Sequence, residues 1–146
     1  MPMDNPLNQF IEIAPDSPTD KAIVPQQKNG KPTIATIATI ATIEYELLSS
    51  KPYVYTLAEL KFATHVKHKQ IPPAELKAHG KQLREAFFAK PCACMRASPL
   101  TKQYGWGAYY DEQGRIAIYP VESKEYQRFV KDKGIRKFTA MRSKKA

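Results

Sequence analysis

His65 and His68 stand three residues apart in "TLAELKFATHVKHK", a spacing that brings both imidazoles to one side of a helix. Two such rings could hold a metal ion or pass a proton, and His79, Cys92 and Cys94 complete the inventory of metal-ligand types. The spacings fit no zinc pattern, however, because a single residue separates Cys92 from Cys94. No metal site and no cofactor are therefore expected, and His65 and His68 read as surface residues beside Lys67 and Lys69. Cys94 offers a second chemistry. Arg96 follows it two residues later, with Lys90 and Lys102 nearby, and positive neighbours stabilise a thiolate. A small enzyme would use Cys94 as nucleophile, Arg96 to hold the thiolate, and His65 or His68 as base. The plainer reading of Cys94 is a small buried hydrophobe in a turn leading into a sheet. A third group is Arg96, Lys102, Trp106 and Arg115, where cations flank aromatic rings and could meet an anionic small molecule. Salt bridges to Asp111, Glu112 or Glu122 would occupy the same cations at less cost.

The elements that must position these residues follow from periodicity. In "YGWGAYYDEQGRIAIYPV" the period is two, placing Trp106, Ala108 and Tyr110 on one face and Gly105, Gly107 and Tyr109 on the other. "DEQG" is a four-residue turn with Gly114 free to adopt the left-handed conformation, so Tyr104–Val121 is expected to be a hairpin. Glycines alternating with rings imply that a helix or loop packs closely on the bare face. The aromatic strand echoes base-stacking RNA-recognition domains, but Gln103 and Tyr104 stand where that motif is basic, and Ala108 replaces a stacking ring. Upstream, Thr56 three residues before Glu59 is a capping-box spacing. "PPAELKAHGKQLREAFF" predicts a further helix with Pro73 in its first turn and an apolar stripe of Leu76, Gly80, Leu83 and Phe87. "FIEIA" (Phe10–Ala14) and "RKFTAM" read as strands, and Ser123 can cap a short helix carrying Tyr126, Phe129 and Val130.

The repeat "TIATIATIATI" (Thr33–Ile43) is β-branched, which favours strand, but its unit of three defeats a period of two. On a helix, Ile34, Ala38, Ala41, Tyr45 and Leu48 make a continuous stripe, so helix is the expectation, stopped by Ser49, Ser50 and Pro52. The sequence thus predicts an α+β fold: a small antiparallel sheet built on the hairpin in the carboxyl half, with helices packed on one face. Residues 1–146 are read as one domain, with 21–32 a loop, 33–43 a repeat extending a helix, and 142–146 a basic tail.

Composition narrows the class. With 146 residues and 42% hydrophobic content the chain can bury a core without staples. No apolar run is long enough to span a bilayer, and the opening "MPMDNPLNQF" lacks the pattern of a secretory signal. Two closely spaced cysteines make no disulfide framework, so a cytoplasmic protein with no membrane partner is expected. The net charge of +9 is uneven: residues 61–90 hold seven Lys/Arg against two Asp/Glu, and residues 124–146 nine against two. Such a skew can mark a nucleic-acid surface, although solvated helix faces explain it as well.

The run "CMRASPLTKQYGWGAYYDEQGRIAIYPVESKEYQRF" resembles a group of small, mainly bacterial proteins classed as domain of unknown function 6157. The likeness extends to "FIEIAPDSP", "TIEYELLSSKPYVYTLAELKF" and "AMRSKK". It implies no activity, cofactor or substrate. In that group histidines stand where this chain has Cys92 and Tyr109, which argues against a metal site relying on them. The resemblance also implies one "TIA" unit where this chain has more than three, so the repeat reads as a tolerated helix extension. Taken together, the residues favour a non-catalytic module for an anionic small molecule or a protein partner, near Arg96 and Trp106. The Cys94 enzyme is the rival reading, and nucleic-acid binding ranks third.

Overall fold

The computed structural model describes residues 6–25, 39–90 and 94–142. Cys92 and the repeat residues 33–38 lie outside that set, as do 26–32 of the expected loop and 143–146 of the basic tail. The element order is β1 (Gln9–Glu12), α1 (Ile40–Ser50), α2 (Leu57–His68), α3 (Pro73–Phe88), α4 (Pro99–Lys102), β2 (Trp106–Tyr110), β3 (Ile116–Pro120), α5 (Lys124–Lys131) and β4 (Arg136–Thr139). The α+β class expected from the sequence is the one observed.

Of the described repeat residues, Ile40–Ile43 are helical, and the helix begins at Ile40 instead of running on through Thr39, which is extended. Thr39 caps α1, its hydroxyl accepting the Thr42 amide hydrogen at 3.2 Å, and Ala41, Ile43, Leu47 and Leu48 are buried. α2 starts with the full capping box: Thr56 takes the Glu59 amide, and the Glu59 carboxylate takes the Thr56 amide. α3 begins on Pro72–Pro73, leaves helical geometry at His79, and buries no residue fully. Its half-buried positions include the stripe Leu76, Gly80, Leu83 and Phe87. At the hairpin turn the Asp111 carboxylate accepts the amides of Gln113 and Arg115 at 2.9 and 2.8 Å, and Gly114 takes φ 82°.

The four strands lie in the order β3-β2-β1-β4. β1 runs antiparallel to β2, as the expected antiparallel sheet requires, but β4 runs parallel to β1, so the sheet is mixed. A parallel neighbour is reached only by a long crossover. Here nearly the whole chain lies between β1 and β4. The helices also divide between the two faces instead of sharing one. Ile11, Ala108, Tyr110 and Ile116 form a core with Leu47 and Leu48 of α1, Leu57 and Leu60 of α2, Met95 and Leu100. The opposite face carries Phe10, Gly107 and Tyr109, apolar surface that itself needs cover. α5 supplies it: Phe129 stacks on Tyr109 at 4.5 Å and on Phe10 at 5.0 Å, and Tyr126 meets Phe10 edge-on. Gly107 is what permits that approach, since a Cβ there would stand 2.6 Å from both the Phe10 and Tyr126 rings. Gly105, at φ 77°, likewise admits the Lys21 carbonyl, so the chain around residues 21–23 packs against the strand's entry.

Candidate functional site

On α2, Lys61, Thr64, His65 and His68 follow one another at steps of three, one and three, which is one face of a helix. That face turns toward α1, where Glu44 is completely buried. A buried carboxylate must be paired. Lys61 Nζ donates to Glu44 Oε2 at 3.1 Å, and Ser98 Oγ donates to Oε1 at 2.7 Å. Ser98 accepts the Leu100 amide in turn, capping α4, so one hydroxyl ties a helix start to the buried acid. Three residues beyond Lys61 on α2 is Thr64, only 4% exposed. Its hydroxyl oxygen has no hydrogen-bond partner among the described residues.

These side chains line a cleft of about 300 Å³, bounded by Ile40, Glu44, Lys61, Thr64, His65, His68, Lys69 and Phe87. A wider cleft of about 710 Å³ adjoins it through the shared Ile40, His68 and Lys69, with Thr39, Ala41, Gln103 and Tyr104 among its walls. Such volumes suit small organic ligands. The inner wall is apolar and aromatic: Phe87 of α3 lies 4.7 Å from the His65 ring and 5.7 Å from Phe62. His65 is held below the usual histidine range, first by burial and then by the charge of Lys69 and the neighbouring His68. Its imidazole is therefore neutral at pH 7. The mouth, beside His68, is electropositive, because it combines Lys69 with the first turn of α1, the positive end of that helix.

The residues singled out from the sequence distribute as follows. His65 and His68 line the cleft and do not lie idle on the surface. Cys94, a half-buried free thiol, caps the 3-10 turn Met95–Ala97, packs against the core and lines neither cleft. Arg96 is spent on structure: its Nε donates to the Thr139 carbonyl at 2.8 Å, and its guanidinium lies 5.8 Å from the Phe138 ring. Lys102 closes α4. Trp106 packs on Tyr45 at 5.2 Å and donates its indole N–H to the Ile23 carbonyl at 2.8 Å. Arg115 is exposed at the hairpin turn. Trp106 pairs with Pro120 and Tyr110 with Ile116, so Trp106 and Arg115 sit at opposite ends of the ribbon, roughly 14 Å apart. The four cation-and-ring residues thus share no cleft among those described. Among the described residues no group of three or more His, Cys, Asp or Glu could hold a metal ion. No described helix is long and apolar enough to cross a membrane.

Glu44, Lys61, Thr64 and Lys69 are functional candidates that the reading of motifs passed over. A signal was present, since Glu44 interrupts the apolar stripe between Ala41 and Leu48, and Lys61 and Thr64 continue the spacing of the two histidines. The sequence model of one family, described as a family of unknown function (DUF6157), matches residues 1–146. No curated protein and no solved structure matches the chain.

Proposed function

The chain belongs to the DUF6157 family, and since membership brings no activity with it, we propose from the geometry that the protein is a non-catalytic module binding a small anionic molecule in the α1–α2 cleft. One observation carries this reading. Lys69, His68 and the amino end of α1 meet at the mouth of a cleft whose exposed wall is mostly apolar and whose one ion pair is internally balanced. The Lys69 ammonium and the positive helix end favour an anion, since among the described lining residues the one carboxylate, Glu44, is already paired with Lys61. The ligand's apolar body would lie against Ile40 and Phe87. Binding is preferred to catalysis here because Cys94, the nucleophile candidate of the sequence, lines neither cleft.

Titration with phenylacetate, followed by amide NMR, tests the proposal. Shifts are expected at Ile40, Ala41, Thr64, His65, His68 and Lys69, and Lys69→Glu should weaken binding by roughly tenfold, the worth of one charge-assisted hydrogen bond. Shifts confined to Arg96, Trp106 or Arg115 would return the site to the hairpin, and an absence of shifts in the cleft would remove the reading.

A further inference from the structure

Resting on that cleft, the orphaned Thr64 hydroxyl specifies the other end of the ligand. Its oxygen is buried and unpartnered among the described residues, at the inner end of a cleft whose charges there are already balanced. In an α-helix a threonine usually returns its hydroxyl to the backbone one turn back. Here that bond is not made, although Thr64 is among the residues that line the cleft. A second charge could not be accommodated beside it, because an anion drawn to Lys61 would also face the Glu44 carboxylate. A neutral oxygen has no such conflict: it can accept from Thr64 or from the remaining Lys61 hydrogens, and it can donate to Thr64. We infer that the ligand is a small hydroxy acid, with its carboxylate at the mouth by His68 and Lys69 and its neutral hydroxyl against Thr64.

Helix geometry sets the distance between the two groups. Thr64 and His68 are four residues apart on α2 and Lys69 follows as its C-cap, which puts the pair about 6 to 7.5 Å along the axis from Thr64. A para-substituted aromatic acid spans that interval, and its ring matches the wall of Ile40, His65 and Phe87. An ortho hydroxyl falls short of it. The neutral state of His65 keeps the ring slot uncharged, which suits an aromatic body rather than a second anion.

Calorimetric titration of the full chain with phenylacetate, 4-hydroxyphenylacetate and 2-hydroxyphenylacetate separates the possibilities. The para acid should bind about fivefold tighter than phenylacetate, the worth of one hydrogen bond to a buried partner, and the ortho acid no tighter. In Thr64→Val the para acid and phenylacetate should bind equally, so that the fivefold preference of the wild-type chain is lost. If all three acids bind the wild-type chain equally, or if the para preference survives Thr64→Val, the hydroxy-acid inference fails and the cleft remains. Should none of them bind, the cleft reading fails as well. The ortho comparison needs no variant, so it decides the matter even if Thr64→Val does not fold.

Discussion

Thr64 sits where a valine would fit in shape and would cost nothing in unmet hydrogen bonding. A buried hydroxyl without a partner costs about 1 to 3 kcal/mol, so Thr64→Val should stabilise the ligand-free protein by about 1 kcal/mol in urea denaturation. A destabilised variant would mean that the hydroxyl is paired after all. Glu44 behaves in the opposite way. Removing Lys61 would leave a fully buried carboxylate facing only Ser98, and breaking such pairs costs about 3 to 5 kcal/mol. Lys61→Met should therefore be strongly destabilising, and adding Glu44→Gln should recover most of the loss, because Gln still accepts from Ser98 but carries no charge. His65 contributes pH dependence. Its folded pKa lies below its unfolded value near 6.5, so above that pH both states are neutral and stability is full. As pH falls below about 6.5 the unfolded chain takes up the proton first, and stability declines until the folded histidine also titrates. His65→Gln should flatten the stability profile between pH 7 and pH 5 relative to wild type. Of these residues the sequence marked only His65, because chemistry is sought by residue type. Thr64 and Glu44 matter through burial, which a list of reactive types does not contain.

The elements themselves were largely legible, and local chemistry explains why. Thr56 with Glu59, Pro73 in a first turn, Ser123 before a short amphipathic run, and "DEQG" between alternating segments each satisfy backbone groups within a few residues. α1 takes in only Ile40–Ile43 of the repeat, because extended Thr39 caps it, and within α1 Ala41, Leu48 and the half-buried Tyr45 share one side as the helical stripe requires. The turn Met95–Ala97 and α4 were not foreseen, being too short for periodicity to register. Two elements yield a test of how the layers meet. Gly107, one of the glycines that alternate with rings, is the bare spot where a neighbour approaches, and Phe10 and Tyr126 fill it. Gly107→Ala should cost about 1 to 3 kcal/mol through overpacking, with loss of the upfield ring-current shifts of Phe10 and Phe129 protons. α3 is the contrasting case. It is pinned at its end by Phe87 and Phe88 on Phe62, with Arg84 over the Phe62 ring, and no residue of the helix is buried. Phe87→Ala should accelerate hydrogen exchange across α3 while leaving β1 and β2 protected. Uniform acceleration would show α3 to be integral to the core instead.

At the scale of the whole molecule the parallel pairing of β1 with β4 decides how the sheet holds together, and it is the feature least readable in advance. Both strands were visible as short segments, but partner and direction are fixed by contacts between residues 9–12 and 136–139. No local pattern encodes a pairing over that separation. The consequence is that β1, near the start of the chain, lies inside the sheet and depends on β4 for one of its two hydrogen-bonded sides. β4 also brings Phe138 against the core, and the following Ala140 is buried there with its amide donating to the Glu12 carbonyl. The same segment holds the Cys94–Arg96 turn in place, since Arg96 bonds the Thr139 carbonyl and the Met141 amide bonds the Arg96 carbonyl. Through that turn it reaches Ser98 and hence Glu44, at the inner end of the cleft. A chain ending at Asp132 should therefore lose more than one edge strand. It should show no cooperative thermal transition by circular dichroism, because β1 would be left with an open side and the polar cluster behind the cleft would lose its support. The antiparallel trio β1–β2–β3 retains most of the apolar contacts, which makes the opposite outcome a fair challenge. If the shortened chain melts cooperatively within a few degrees of the full one, the three antiparallel strands are sufficient, and the chain of contacts from β4 to Glu44 does not transmit stability to the cleft.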